Sequence, residues 1–181
     1  MRIDPCEGSE YRHDMALDCV NHPVSTWTSP DAALAQPLVD DLARDYDERY
    51  GLNDGIPSSV ELSRYPAELF APARGGAFLI LEQAGTAVAG GAFMRLDDKT
   101  AEMKRVWTHP DHRRRGLAGR VMAELEGEAR IRGYRRVNLT TGARQPEAVG
   151  LYLHLGYVPL FDVDGDYEAI TYLRFTKSLV D

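Results

Sequence analysis

No apolar run in the chain approaches the length that crosses a bilayer. The first twenty residues, Met1 to Val20, are polar and acidic where a secretory signal needs an apolar stretch. The sequence therefore reads as a cytoplasmic protein. Cysteine is scarce: Cys6 and Cys19 are the only two, and without a secretory context they read as free thiols with no assigned chemistry. Internal repeats, low-complexity tracts and a second domain boundary are also lacking, since Gly75-Gly76 and residues 162–166 have ordinary loop compositions. His109 and His112 have no third ligand nearby in sequence and flank Pro110, so they read as solvated loop histidines, with no metal expected.

What is present can build a full core: 181 residues with 44% hydrophobic content suit a single domain. The net charge of -7 hides an asymmetry. Residues 1–63 hold 13 acidic against 4 basic side chains, and the remainder is slightly basic, with the excess between Lys104 and Arg136. Either these are solvated faces, or the basic stretch holds an anion and the acidic stretch attracts a cation. The basic cluster is short, with only Trp107 and Tyr134 interleaved, which argues against a nucleic-acid partner.

Turn and cap signals set out the elements. Ser29 as N-cap, Pro30 at the first helical position and Gly51 as the stop predict a helix with Leu34, Leu38, Leu42 and Tyr46 as its buried stripe, and Pro37 as a kink or a delayed start. A second short helix is expected after Ser58 or Ser59, breaking around Pro66. Residues 77–82, 87–96 and 102–108 read as an antiparallel meander. A helix from Leu117 to about Arg132 follows, stopped by Gly133. The strand at 136–141 returns after that crossover and is expected parallel to 102–108. Pro146 opens another helix, and final strands are expected near 157–161 and 167–177.

Between the strand ending at Thr108 and the helix at Leu117 lies Arg113-Arg114-Arg115-Gly116-Leu117-Ala118. A strand, a glycine turn and a helix N-terminus aim unpaired N–H groups and a positive dipole end at one anion. Gly116 lets the backbone approach a phosphate, Ala118 and Gly119 keep the first turn open, and the three arginines add charged donors. The loop describes a pyrophosphate cradle.

This stretch resembles the acetyl-coenzyme A loop, Q/R-x-x-G-x-G/A, of the GCN5-related N-acetyltransferases (GNAT). Glu147-Ala148-Val149-Gly150-Leu151-Tyr152-Leu153-His154-Leu155-Gly156-Tyr157 is similar to that family's A-x-x-L-Y-x-x-x-G-F segment. The resemblance runs by motif from Ala77 to Lys177 and by pattern from Ser29 to Pro72. It implies a mixed α/β fold with a central, mostly antiparallel sheet of about six or seven strands, helices on both faces, and two splayed parallel strands forming a cofactor cleft. Residues 1–28 have no counterpart and read as an N-terminal extension, either a flexible arm or a surface packed on a neighbouring subunit. Residues 29–181 form the catalytic domain. The implied reaction is transfer of acetyl from acetyl-coenzyme A to a primary amine by direct attack, the acceptor being a small molecule or a lysine or N-terminal amine. The alternative is a non-catalytic acyl-coenzyme A sensor with the same fold. A monomer or homodimer is expected, with no membrane partner.

An alkylammonium has a pKa of about 10.4, so attack at neutral pH needs a general base. The resemblance places Glu102 in that role. It is otherwise a strand glutamate paired with Lys104, and Glu68, Asp45 and Glu48 are alternative bases. Tyr152 is placed as the acid that protonates the thiolate, and it also suits a buried helix tyrosine. Main-chain groups of Val106, Trp107 and Thr108 are implied to hold the pantetheine arm and polarise the carbonyl, with the Trp107 ring reading as packing. Gln145 stands where the family commonly has an asparagine touching the cofactor, and Asn138 is a further polar candidate. Asp41, Asp45 and Glu48 on the helical roof favour a cationic acceptor, and Tyr46, Tyr50, Tyr65 and Phe70 read as core or as an acceptor enclosure.

Overall fold

The structure, a computed structural model, describes residues 22–180, so Cys6 and Cys19 lie outside the described residues. The first element is β1 (Val24–Trp27), an edge strand antiparallel to residues 79–82. The stretch expected as an extension thus contributes four residues to the sheet. The next element, α1 (Gln36–Tyr50), starts later than Ser29 and Pro30 predict and is preceded by a 3-10 turn at Ala33–Ala35. Pro37 explains the delay: it lacks an N–H and its ring clashes with the preceding turn, so it is accommodated only in the first turn of the helix. Ser29 instead accepts the N–H of Asp31 through its hydroxyl. The helix ends at Gly51, as expected.

A two-stranded hairpin, β2 (Leu52–Asn53) with β3 (Ile56–Pro57), leads into 3-10 helix at Ser58–Arg64, where the second short helix is expected. The meander follows as β4 (Ala77–Gln83), β5 (Thr86–Arg95) and β6 (Thr100–Thr108), then α2 (Leu117–Ile131), β7 (Arg136–Gly142) and α3 (Pro146–His154). The predicted strand near 157–161 shrinks to β8 (Val158–Pro159), because Pro159 lacks the N–H needed to extend a ladder. The last predicted strand starts late. Asp166 accepts the N–H groups of Glu168 and Ala169, so Tyr167–Ile170 winds into a short helix, α4, before β9 (Tyr172–Ser178).

The seven-stranded sheet has the order β1-β4-β5-β6-β7-β9-β8, and every pair is antiparallel except β6 with β7. The crossover through α2 makes that pair parallel, as predicted. Each face of the sheet carries its own core. Leu79, Leu81, Phe93, Met103, Val121, Met122, Leu125, Leu139 and Phe175 pack beneath α2 and α3. Leu38, Leu42, Phe70, Phe78, Ile80 and Trp107 pack beneath α1. The two layers meet along β6, which contributes Met103 to one and Trp107 to the other.

Candidate active site

β6 pairs with β5 as far as Thr108 but with β7 only from Thr100 to Met103. Beyond Met103 the two parallel strands splay apart, so the β7-facing edge of residues 104–108 has no ladder partner among the described residues. A cleft of about 1420 Å³ runs through this gap, larger than the ~300–1,000 Å³ of a common ligand pocket, and has room for two reactants.

The apolar spacing of β6 explains its irregularity. Ala101, Met103 and Val106 face the α2 layer, whereas Trp107 joins the α1 layer, so the two-residue alternation slips by one at Arg105. The register against β5 slips at the same point, between Gly90 and Ala92, and Arg105 has a left-handed φ of 58°. This is a β-bulge, a device that re-aims side chains. It turns Lys104 and Arg105 together toward the roof. The Nη2 group of Arg105 donates to the carbonyls of Leu62 (3.0 Å) and Tyr65 (2.9 Å), and its guanidinium lies 4.8 Å from the Phe70 ring centre.

One half of the cleft is the cradle. Gly116, with φ 77°, is the N-cap of α2, and no side chain among the described residues caps that helix, so its first N–H groups remain available. A Cβ at Gly116 would meet nothing within 4 Å, so glycine is needed here for its backbone conformation and not for room. Arg113, Arg114, Gly116, Leu117, Ala118 and Gly119 all line the cleft. Arg115 does not; its Nη1 turns to His112 at 3.4 Å. Thr108 lines the same half, and its hydroxyl is buried with no hydrogen-bond partner among the described residues. An orphaned buried hydroxyl, a free strand edge and an uncapped helix start fit a ligand with amides and phosphates, and these features match the donor set expected for coenzyme A. Gln145 lines the cleft and braces the turn before α3, accepting from Thr141 Oγ1 (2.7 Å) and Gly142 N (3.3 Å). Asn138 is drawn away from the cleft, its side chain accepting from Thr176 Oγ1 at 2.8 Å.

The other half is floored by the sheet and roofed by α1. Glu102 projects from the floor and is held by Lys104 Nζ at 2.9 Å, which makes the ion pair and the cleft position both real. Burial disfavours the Lys104 ammonium, but its contacts to Glu102 and Tyr65 more than offset that, and its pKa ends raised. Tyr152 lines the cleft from α3 while its ring is buried against Tyr157 and Phe175, with centroids at 5.7 and 5.5 Å. Burial pushes its phenol well above the usual range, so it stays a neutral O–H donor. Tyr46, across the cleft on α1, is pushed up to about 12 by burial and then by nearby acidic groups.

Two of the three roof acids are already paired. Asp41 is buried, accepts the Trp107 indole N–H at 2.9 Å and pairs with Arg44, while Asp45 pairs with Arg49. Glu48 and Glu68 are exposed and do not line the cleft, whereas Glu102 and Asp45 do. At its C-terminal end α1 is clamped to the loop before α3. Arg49 Nη1 donates to the Arg144 carbonyl (2.6 Å) and Arg144 Nη1 donates to the Arg49 carbonyl (2.8 Å). Tyr50 presses so closely on Gly142 that a Cβ there would overlap its hydroxyl.

Three cleft features went unread in the sequence: the side chains of Arg105 and Arg174 and the hydroxyl of Thr108. The uneven spacing of Ala101, Met103 and Val106 is the signal that could have located the bulge and hence Arg105. Among the described residues no group of three side chains could hold a metal ion, and no helix is long and apolar enough to cross a membrane.

The acetyltransferase (GNAT) family model matches residues 38–157. The uncharacterized N-acetyltransferase YjgM of Escherichia coli is 33% identical over 86 residues, 46% of this chain and 52% of that protein, so the match spans about half that relative's length. Among solved structures, an acetyltransferase from Streptococcus agalactiae superposes with a TM-score of 0.69 at 21% identity, covering 87% of this chain and 99% of that one. A GNAT family acetyltransferase from Elizabethkingia anophelis, solved with acetyl-CoA bound, gives 0.59 at 11% identity over 87% and 99% of the two chains.

Proposed function

The chain belongs to the acetyltransferase (GNAT) family, and from that premise we propose that it moves an acetyl group from acetyl-CoA to a primary amine by direct attack in a ternary complex. The observation that carries this reading is the free edge of residues 104–108, opening onto the uncapped start of α2 in one cleft. The first-turn N–H groups of α2, with Arg113 and Arg114, would hold the pyrophosphate. Main-chain groups of Val106 to Thr108 would pair with the pantetheine amides, and the Thr108 hydroxyl would gain the partner it lacks. When bound, acetyl-CoA supplies an acyl group activated as a thioester.

The chain's own side chains then manage protons. Glu102 on the floor takes one from the acceptor ammonium, directly or through water, and Lys104 holds its carboxylate in place. As the new amide bond forms and the carbon–sulfur bond breaks, Tyr152 holds a proton at its hydroxyl for the departing sulfur. Free N–H groups of β6 stabilise the charge that develops on the carbonyl oxygen.

Calorimetric titration with acetyl-CoA, repeated on Gly116→Asp, tests the donor site; an amine screen read by thiol release tests turnover. The aspartate adds a negative charge and a side chain at a left-handed position, so binding is expected in the parent protein and lost in the variant. No binding to the parent protein sinks the proposal. Binding without thiol release from any amine favours the non-catalytic acyl-CoA sensor.

A further inference from the structure

Of the carboxylates lining the cleft, those of Asp41, Asp45, Glu61, Glu102, Glu147 and Glu168 each sit in an ion pair with an arginine or lysine. Asp54 is left over, on the exposed tip of the β2–β3 hairpin. The cations are not used up in the same way. Among the described residues Arg105, Arg113, Arg114 and Arg174 line the cleft with no carboxylate in ion-pair contact; Arg113 and Arg114 belong to the cradle, which leaves Arg105 and Arg174. Arg174 belongs to the acceptor side: its neighbours Leu173 and Phe175 are buried in the α2 layer, so it projects from the opposite face, in register with Thr140.

Arg105 is the more telling of the two. Its Nη2 group is satisfied by two backbone carbonyls, but among the described residues its Nε–H is buried without an acceptor, and the half-buried guanidinium has no carboxylate in ion-pair contact, only the more distant Asp31. A charge so placed is unfavourable unless something pairs with it. The backbone that presents it is itself strained, since a non-glycine residue with φ 58° inside a strand persists only where its surroundings hold it there. Without the bulge, Arg105 would face the α2 layer with Met103. Burial pulls its pKa down, and the nearby Tyr46 and Asp31 offset this only in part.

On the acetyltransferase reading above, we infer that the acceptor is an amine that also carries a carboxylate, an amino-acid-like molecule whose anionic end lies against Arg105 and Arg174 and whose nitrogen faces Glu102. Its carboxylate supplies the counter-charge that the floor lacks. Polyamines and aminoglycosides bring charge of the wrong sign to this floor.

The test compares matched acceptors by thiol release at saturating acetyl-CoA: each protein amino acid against its carboxamide and its decarboxylated amine. The expected outcome is a kcat/KM higher by about tenfold to a hundredfold for the acid, the loss incurred when a charged hydrogen-bonding partner is withheld. Arg174→Gln, an exposed site that leaves the core intact, should narrow that ratio chiefly through KM. Arg105→Lys, which keeps the charge but not the fork that holds Leu62 and Tyr65, should narrow it less than Arg105→Gln. Equal or faster turnover of amines without a carboxylate overturns the inference and leaves the acetyltransferase standing. Failure of acetyl-CoA to bind in the same preparation removes the acetyltransferase reading, and this inference with it.

Discussion

Thr108 states the residue-scale argument in its simplest form. Its hydroxyl is buried and unpartnered, so Thr108→Val exchanges it for a methyl group of the same shape, and the free protein should lose no thermal stability. If the hydroxyl pairs with the ligand as proposed, the same change should weaken acetyl-CoA binding severalfold in calorimetry. A marked fall in Tm would mean that the group is paired within the fold. Tyr152 offers a second test. Its acid form is lost only when pH passes its pKa, and burial has raised that pKa, so kcat should hold level through pH 10. Tyr152→Phe should lower kcat by about a hundredfold with little change in the donor's affinity. Of the residues named from sequence, those fixed by local backbone rules arrived in the cleft: the glycine turn with its two arginines, and Gln145 at the start of α3. Asn138 did not, since a strand position specifies a face but not which neighbour a side chain will choose.

Elements depend on caps and docking more than on their own periodicity. The buried contact between Trp107 and Asp41 ties α1 to the floor, and Asp41→Ala leaves the indole N–H without an acceptor, at a cost of about 1–3 kcal/mol. Thermal unfolding should register this as a fall of roughly 2–4 °C per kcal/mol in a chain of this size. An unchanged Tm would show that the indole finds water instead. The late start of α1 was legible in Pro37, which outweighs the weaker signal of Ser29 and Pro30. The strand β1 was not legible: four residues with a single edge partner have no alternation of their own, and only the neighbouring β4 makes them a strand. The helical turn at Tyr167 hinged on Asp166, a cap signal hidden within a run that otherwise reads as β.

At the scale of the whole molecule the parallel pairing of β6 with β7 was readable, because a helix between two strands permits little else. The splay of the two strands was implied by the family resemblance and not by the residues alone, whose only local sign is the uneven apolar spacing around Arg105. Five phenols give a global titration. Tyr46, Tyr50, Tyr134, Tyr152 and Tyr157 all have folded pKa values raised above about 10, the unfolded value, with burial as the first cause. The neutral form is the one the fold favours, so this contribution to stability is complete below pH 10 and is lost as pH rises past it toward the folded values. Tm should be flat between pH 7 and 9.5 as far as these groups are concerned and should decline above about pH 10. A decline already complete by pH 9 would contradict it.

A strand edge with unpaired amides is ordinarily a hazard, a template on which another polypeptide can add itself and start a fibre. The outer borders of this sheet are blunted by brevity: β1 has four residues, and β8 has two, one of them Pro159. The unsatisfied stretch of β6 lies instead at the centre of the sheet, walled by α2 and α3 on one side and by α1 on the other. There the helices, and not solvent, face the unpaired amides, so another copy's edge strand meets them less readily than it would at an outer border. Placing its sticky edge indoors lets the molecule keep a standing offer of backbone hydrogen bonds without the risk of aggregation that such an offer carries at a surface.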